Sequence, residues 1–194
     1  MKKIILFGLF AFAVATAVWF FQNSRAATET PDYQLVRQSG DLEIRDYPDL
    51  KIVSAAMEGE GMNGSFGNLF RYISGENAKE EKIAMTTPVL IDRSTQAGSM
   101  SFIVPKEIAA RGAPEPKDEK VKLSQKDSAR FAALRFQGAG KPEEEKAAIE
   151  KLRSLLATEK ITPIGTPIVA YYDPPWTPAP LRRNEVMLQI AKTQ

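Results

Sequence analysis

The sequence predicts an α+β domain in which two similar halves share one sheet or barrel and each half lays a helix against it. Three observations predict it. Short runs rich in β-branched and aromatic residues recur along the chain, bounded by Gly, Pro, Asp and Ser turn residues. Two stretches instead space their apolar residues for one face of a helix. The third observation is a repeat at an offset of 79 residues: Gly59 and Gly61 fall on Gly138 and Gly140, Leu69, Phe70 and Ile73 on Ala148, Ile149 and Leu152, and Thr87-Pro88-Val89 on Thr166-Pro167-Ile168. A break, a helix stripe and a strand start shared at one offset describe a duplicated unit, with halves at roughly 33–104 and 120–191.

The elements follow in order. Residues 33–37 and 42–47 read as strands around the turn Ser39-Gly40-Asp41, and residues 51–58 as a third strand. Gly59-Glu60-Gly61 breaks that strand. Met62, Phe66, Leu69, Phe70 and Ile73 then form one helical stripe, which Gly75 ends. Strands follow over 86–91 and 99–104, and the proline-bearing, charged stretch 105–118 reads as a connector. In the second half, 121–125 and 130–137 read as strands and Gly138-Ala139-Gly140 as the break. Pro142 suits a first helical turn, and Glu143, Glu144 and Glu145 complement the positive end of the helix dipole. Ala148, Ile149, Leu152, Leu155 and Leu156 supply that helix's stripe, and strands over 166–172 and 185–191 close the chain.

Composition narrows the chemistry. The chain has 194 residues and 43% hydrophobic content, enough to build a core. Cysteine and histidine are both absent. Disulfides, thiolate or imidazole metal ligands, a proximal histidine for haem and histidine-assisted nucleophiles are therefore excluded. Neither a Ser-x-x-Lys pair nor a phosphate-cradling Gly-Lys-Ser/Thr loop occurs. Of the 26 basic residues, Lys2, Lys3 and Arg25 precede residue 27, leaving 23 against 24 acidic residues in the body. A body of net charge −1 lacks the basic footprint of a nucleic-acid binder.

Residues 1–26 read as a leader. Lys2-Lys3 precede an uncharged apolar run over residues 4–21, a length between a secretory core and a spanning helix. Ser24-Arg25-Ala26 offers a small-x-small cleavage site, whereas Trp19-Phe20-Phe21 resembles an interfacial aromatic belt. Cleaved signal peptide and retained inner-membrane anchor both fit. Either places residues 27–194 in the periplasm or an equivalent extracytoplasmic space.

The stretch from Tyr171 to Val186 holds four prolines, Trp176, Arg182-Arg183 and Asn184-Glu185, more chemistry than a plain turn needs. Together with Glu43-Ile44-Arg45-x-Tyr47, Phe66-x-x-Leu69-x-x-Tyr72-Ile73-x-Gly75-x-Asn77 and Lys82-Ile83-x-Met85-Thr86-x-Pro88-Val89, it makes the chain from about Tyr33 onward resemble the SOUL haem-binding protein family. That resemblance implies a distorted antiparallel β-barrel of about eight or nine strands flanked by two helices. Similar duplicated folds occur in effector-binding domains of bacterial multidrug regulators. It also implies binding of haem or another tetrapyrrole in a surface cleft, and a binding protein rather than an enzyme.

A tetrapyrrole needs an apolar slot and cations for its carboxylates. The residues that can supply them are Met62, Phe66, Phe70 and Arg71 on the first helix, Lys79 and Lys82 beyond it, and Trp176, Arg182 and Arg183 in the other half. Each has a structural alternative: the Phe66/Phe70/Ile73 stripe as core, the arginines as ion pairs closing a strand, the lysines as a solvated loop, Trp176 as a plug at the barrel end. Without histidine, an axial ligand would be Met57, Met62, Met85, Met100, Met187, Tyr33, Tyr47, Tyr72, Tyr171 or Tyr172, or none. Glu43, Glu58, Asp173 and Glu185 are the acids that a carboxylate-based catalyst would use. The alternative function is an envelope protein that binds another amphipathic small molecule, or a protein partner, through the same cleft.

Overall fold

The computed structural model describes residues 28–59, 61–94 and 96–192, so the leader lies outside the described residues. The strands are β1 (Gln34–Ser39), β2 (Leu42–Tyr47), β3 (Leu50–Ala56), β4 (Val89–Asp92), β5 (Ser99–Ile103), β6 (Val121–Lys126), β7 (Ala129–Phe136), β8 (Pro163–Tyr171) and β9 (Asn184–Ile190). The helices are α1 (Gly61–Ile73), α2 (Lys106–Ala110) and α3 (Pro142–Thr158), with one 3-10 turn at Ala179–Leu181. The connector after β5 thus contains a short helix the sequence did not announce; five residues are too few for a legible period, and buried Ile108 holds it. The fourth strand starts at Val89 rather than Thr86, because Thr86 leaves the ladder: its hydroxyl donates to the Ile103 carbonyl, and it bridges Glu29.

All nine strands form one antiparallel sheet in the order β1-β2-β7-β9-β8-β4-β5-β3-β6. From β2 to β6 that order is symmetric about the β8–β4 ladder, with β7 matching β3, β9 matching β5 and α3 matching α1. Each half lends a strand to the other: β2 pairs with β7, and β6 pairs with β3.

This exchange rolls the sheet. β2 and β3 stand six places apart in the order but are joined by Pro48 and Asp49 alone. In a flat sheet that separation is about 29 Å at roughly 4.8 Å per strand, whereas the three peptide steps from Tyr47 to Leu50 span at most about 11 Å. β6 and β7 are joined just as tightly, by Asp127 and Ser128. Asp49 pins the links together, accepting the Ser128 amide at 2.7 Å and the Gln125 side-chain amide at 3.2 Å. The sheet is therefore a distorted barrel, rolled but not closed, since edge strands β1 and β6 do not pair.

Rolling creates two apolar layers. Outside, α1 and α3 pack on the sheet through Leu69, Tyr72, Ile73, Ala148, Leu152 and Leu156, against helix-facing strand residues such as Leu42, Val53, Ile91, Leu134 and Leu188. Inside, Tyr47, Ile52, Leu90, Ile103, Ala133, Ile168, Tyr172 and Met187 face one another across the lumen. Among the described residues, 42–190 supply every member of both layers.

One end of the lumen holds charge. The Arg45 guanidinium donates to both Glu185 oxygens at 2.6 and 3.1 Å, to Glu43 at 2.8 Å and to the Tyr47 hydroxyl at 3.2 Å. Arg183 donates twice to Glu185, at 3.0 and 2.7 Å, and its guanidinium lies 4.0 Å from the Tyr172 ring centroid. The Tyr172 hydroxyl donates to Glu185 at 2.9 Å. Motifs 140 residues apart thus meet in one buried network, with two arginines offset by two glutamates. Burial pushes the Glu185 carboxyl up, but Arg45 and Arg183 outweigh it and hold the group below the ordinary glutamate range.

Two outcomes test this packing. Leu69, fully buried, should lose about 2–5 kcal/mol as Leu69→Ala in urea unfolding, while exposed Phe70→Ala, one position on, should stay within roughly 0.5 kcal/mol. Because the folded pKa of Glu185 is depressed, its contribution is complete above the unfolded value and is lost as pH falls through the folded one. Glu185→Gln should cost roughly 3 kcal/mol at neutral pH, and its urea midpoint should fall less than that of the wild type on acidification below about pH 4.5.

Candidate functional site

Helix α1 is introduced by two glycines in the left-handed region, Gly59 at φ 59° and its own first residue Gly61 at φ 62°, a backbone that costs glycine little. Ser65 ties it to β3 by donating to the Ala56 carbonyl at 2.8 Å. At its C-terminus Gly75, at φ 118°, reverses the chain, and the Glu76 amide returns to the Arg71 carbonyl at 3.0 Å. Asn77, fully buried, then fixes the following loop. Its side chain donates to the Tyr72 and Glu81 carbonyls and accepts the Lys79 and Glu81 amides.

The helix buries a narrow face: Ser65, Leu69, Tyr72 and Ile73. The neighbouring row, at i, i+4 and i+8, stays in solvent. Met62 is 43% exposed, Phe66 41% and Phe70 51%. The predicted stripe is thus split, with Leu69 and Ile73 in the core and Met62, Phe66 and Phe70 outside it. Phe66 and Phe70 stack at 6.0 Å between centroids, 14° from parallel, and Phe66 sets its edge on buried Phe102 at 5.5 Å. The row is a rigid aromatic shelf with a footing in the core.

A shallow cleft of about 420 Å³ opens at the last turn of α1, lined by Phe70, Arg71, Ser74, Glu76, Glu80 and Lys117. Its cations already hold carboxylates. Arg71 pairs with Glu76 at 3.3 Å and with Asp118 at 3.4 Å, and Lys117 pairs with Glu80 at 2.9 Å. The Lys117 ammonium keeps the Glu80 carboxyl below its usual range. These pairs are exposed and weakly held, so a ligand carboxylate can exchange into them. Sequence reasoning missed Lys117, which lies 46 positions from Arg71 and reaches the same cleft because the Asn77–Pro116 bridge and the Ala78 amide bond to Glu115 lay the two loops side by side.

The other expected site residues lie apart from this shelf or are engaged elsewhere. Lys79 donates to the Gly112 carbonyl at 3.0 Å, and Lys82 is exposed. Trp176 is 79% exposed, so it does not plug the barrel end; the Thr177 amide closes a turn on the Pro174 carbonyl and leaves the indole outside. Arg182 braces its own loop, donating to the carbonyls of Thr177, Pro175 and Ala139. Arg183 belongs to the luminal network. Of the expected acids, Glu43 and Glu185 converge on Arg45, and Asp173 accepts the Arg183 amide at 2.6 Å. Among the described residues no group of three or more acids could hold a metal ion.

The methionines and tyrosines separate by position. Met100 and Met187 are buried, and Met57 packs against Gly98. Tyr72 donates to the Pro114 carbonyl at 2.8 Å, and burial pushes its hydroxyl up to about 12. Tyr47 and Tyr172 face the lumen, Tyr171 donates to Glu145, and the Arg45 guanidinium lies 4.6 Å from the Tyr33 ring centroid. Met62 alone of these stands on the shelf.

The duplication sharpens the contrast. At the offset of 79, Met62, Phe66 and Phe70 correspond to Lys141, Glu145 and Ile149. There the row is covered at two of its three positions: buried Glu145 accepts Arg93 at 3.0 Å and Tyr171, and Ile149 packs on the outer core, while Lys141 is exposed. The halves share a fold and differ at this row.

The sequence matches the SOUL heme-binding protein family over residues 28–189. It is 28% identical over 156 residues to heme-binding protein 1 of Xenopus tropicalis, covering 75% of this chain and 81% of that one. It is 27% identical over 136 residues to heme-binding protein 1 of Sus scrofa, covering 66% and 71%. Among solved structures, the EcmrR C-terminal domain superposes with a TM-score of 0.56 at 10% identity, covering 83% of this chain and 99% of that one. A hydrolase from Listeria innocua superposes with a TM-score of 0.53 at 14% identity, covering 80% and 94%. These two likenesses show the fold alone. From the extent of the family match, this chain belongs to the SOUL heme-binding protein family.

Proposed function

We propose that this protein binds haem or a related tetrapyrrole on the α1 shelf, as a binding protein of the cell envelope exported or tethered by residues 4–21. The observation that carries the reading is the exposed row of Met62, Phe66 and Phe70, three large apolar side chains on a helix whose inner face is already filled. A soluble domain rarely leaves such a row bare without a partner for it. Family membership and the names of the relatives support a tetrapyrrole as that partner.

The residues fit the group. The parallel phenyl rings of Phe66 and Phe70 offer a ledge for a flat macrocycle, and Arg71 and Lys117 at one end suit its carboxylates. Haem brings redox and ligand-binding chemistry to a protein that holds it. This chain contributes burial, orientation and charge pairing, with Met62 as the thioether on the same row. With neither imidazole nor thiolate available, apolar burial and carboxylate pairing set the affinity, so haem exchanges readily.

Titrating haem into the protein should give a saturable Soret shift with a Kd in or below the tens of micromolar. Phe70→Glu, which alters an exposed residue, should weaken it at least about tenfold. Arg71→Glu and Lys117→Glu should each weaken it by a smaller factor that shrinks as salt is raised. No saturable shift, or one untouched by all three variants, contradicts the proposal. An amphipathic ligand of another class recovered from protein purified from its native membrane would move the function to the alternative reading while keeping the shelf.

A further inference from the structure

The rolled sheet has a second cavity, on the face opposite the helices. It measures about 410 Å³, within the range of small-molecule pockets. Its apolar lining comes from both halves: Leu50, Leu90, Ile103, Phe131, Ile168 and Met187. Its mouth lies where the links 48–49 and 127–128 converge, with Pro48, Asp127 and Ser128 at the rim. On another side β8 breaks register with β9 between Ile164 and Ile168, and the bulged residues Gly165 and Thr166 line the opening. Bulges recur where a strand must bend away from a site. A barrel of about eight strands is just wide enough to be filled by side chains or to hold one small ligand; here the ionic network fills one end and the cavity occupies the other.

We propose that this luminal cavity is a ligand site separate from the α1 shelf, and that it takes a small uncharged apolar molecule bearing one neutral hydrogen-bonding group. Charge on the lining carries the class. Lys126 and Asp127 are adjacent and of opposite sign, and Asp92 accepts the Ser94 amide at 2.8 Å. The arginines of the luminal network are paired with Glu43 and Glu185, and on the lining the one cation, Lys126, is outnumbered by Asp92 and Asp127, so the lining carries no net positive charge to attract a carboxylate. The remaining polar groups at the rim, Ser128, Thr166 and Gln189, are neutral and exposed. The two sites therefore sort ligands: a carboxylate-bearing disc outside on α1, an uncharged compact molecule inside the barrel.

The probe is N-phenyl-1-naphthylamine, which is uncharged and brightens when buried. It is titrated into protein starting at Ala27, which keeps both apolar layers as the described residues build them. Saturable binding is expected. Thr166→Trp and Ser128→Trp, both at exposed rim positions, should weaken it about tenfold, while Phe70→Glu should change it less than about twofold. The sulfonated analogue 1-anilinonaphthalene-8-sulfonate should bind at least about tenfold more weakly. Absence of saturable binding, loss of binding in Phe70→Glu with both rim variants unchanged, or equal affinity for the sulfonate overturns the proposal. Haem titrated into the rim variants reads the shelf separately, so failure at one site is distinguishable from failure at the other.

Discussion

Two links of two residues, Pro48-Asp49 and Asp127-Ser128, join strands that lie six places apart in the sheet, and the rest of the molecule follows from that. Chains that short cannot cross a flat sheet. The strands must curl until the ends of β2, β3, β6 and β7 meet, and Asp49 bonds one link to the other where they do. Curling gives the sheet an inside and an outside. Strand exchange then binds the halves into one unit, because β2 and β6 each complete the other half's ladder. The luminal pair of Arg45 on β2 and Glu185 on β9 reinforces the exchange from within, and it is most of what the Glu-Ile-Arg-x-Tyr and Arg-Arg-Asn-Glu motifs do.

With the inside shared among strands, both helices must cover the outside, and each covers a part of it. α3 spreads its cover further: Glu145 is drawn down by Arg93 and Tyr171, and Ile149 lies against the core. α1 buries one narrow face and leaves an aromatic row to solvent. A duplication that kept the scaffold and let one row diverge separates what the fold needs from what is free for binding.

Much of the fold was legible in the sequence. Strands, breaks and both long helices could be placed from periodicity and glycine positions, since Gly59, Gly61, Gly138 and Gly140 all take positive φ at the turns where they were expected. The offset of 79 foretold a shared sheet. The exchange of β2 and β6 was not legible, because strand pairing depends on partners some 80 residues away and β2 pairs as well with one neighbour as another by pattern alone. The site was legible in part. Met62, Phe66, Phe70 and Arg71 could be named, but the stripe gave no sign that Leu69 would be buried and Phe70 bare. For Arg183 the ion-pair alternative was the right one, since Glu185 holds it, whereas the backbone-carbonyl partners of Arg182 were set by the turn and not by spacing. Lys117 was hidden in a connector with no pattern of its own.

The central claim is that the row left out of the core on α1 is where the ligand sits. Amide chemical-shift mapping with diamagnetic zinc protoporphyrin tests it most directly. The account predicts saturable shifts that centre on residues 62–71 and Lys117, with the α3 row at Lys141, Glu145 and Ile149 unmoved. Shifts confined to the 174–183 loop or to the lumen, with α1 silent, would contradict it.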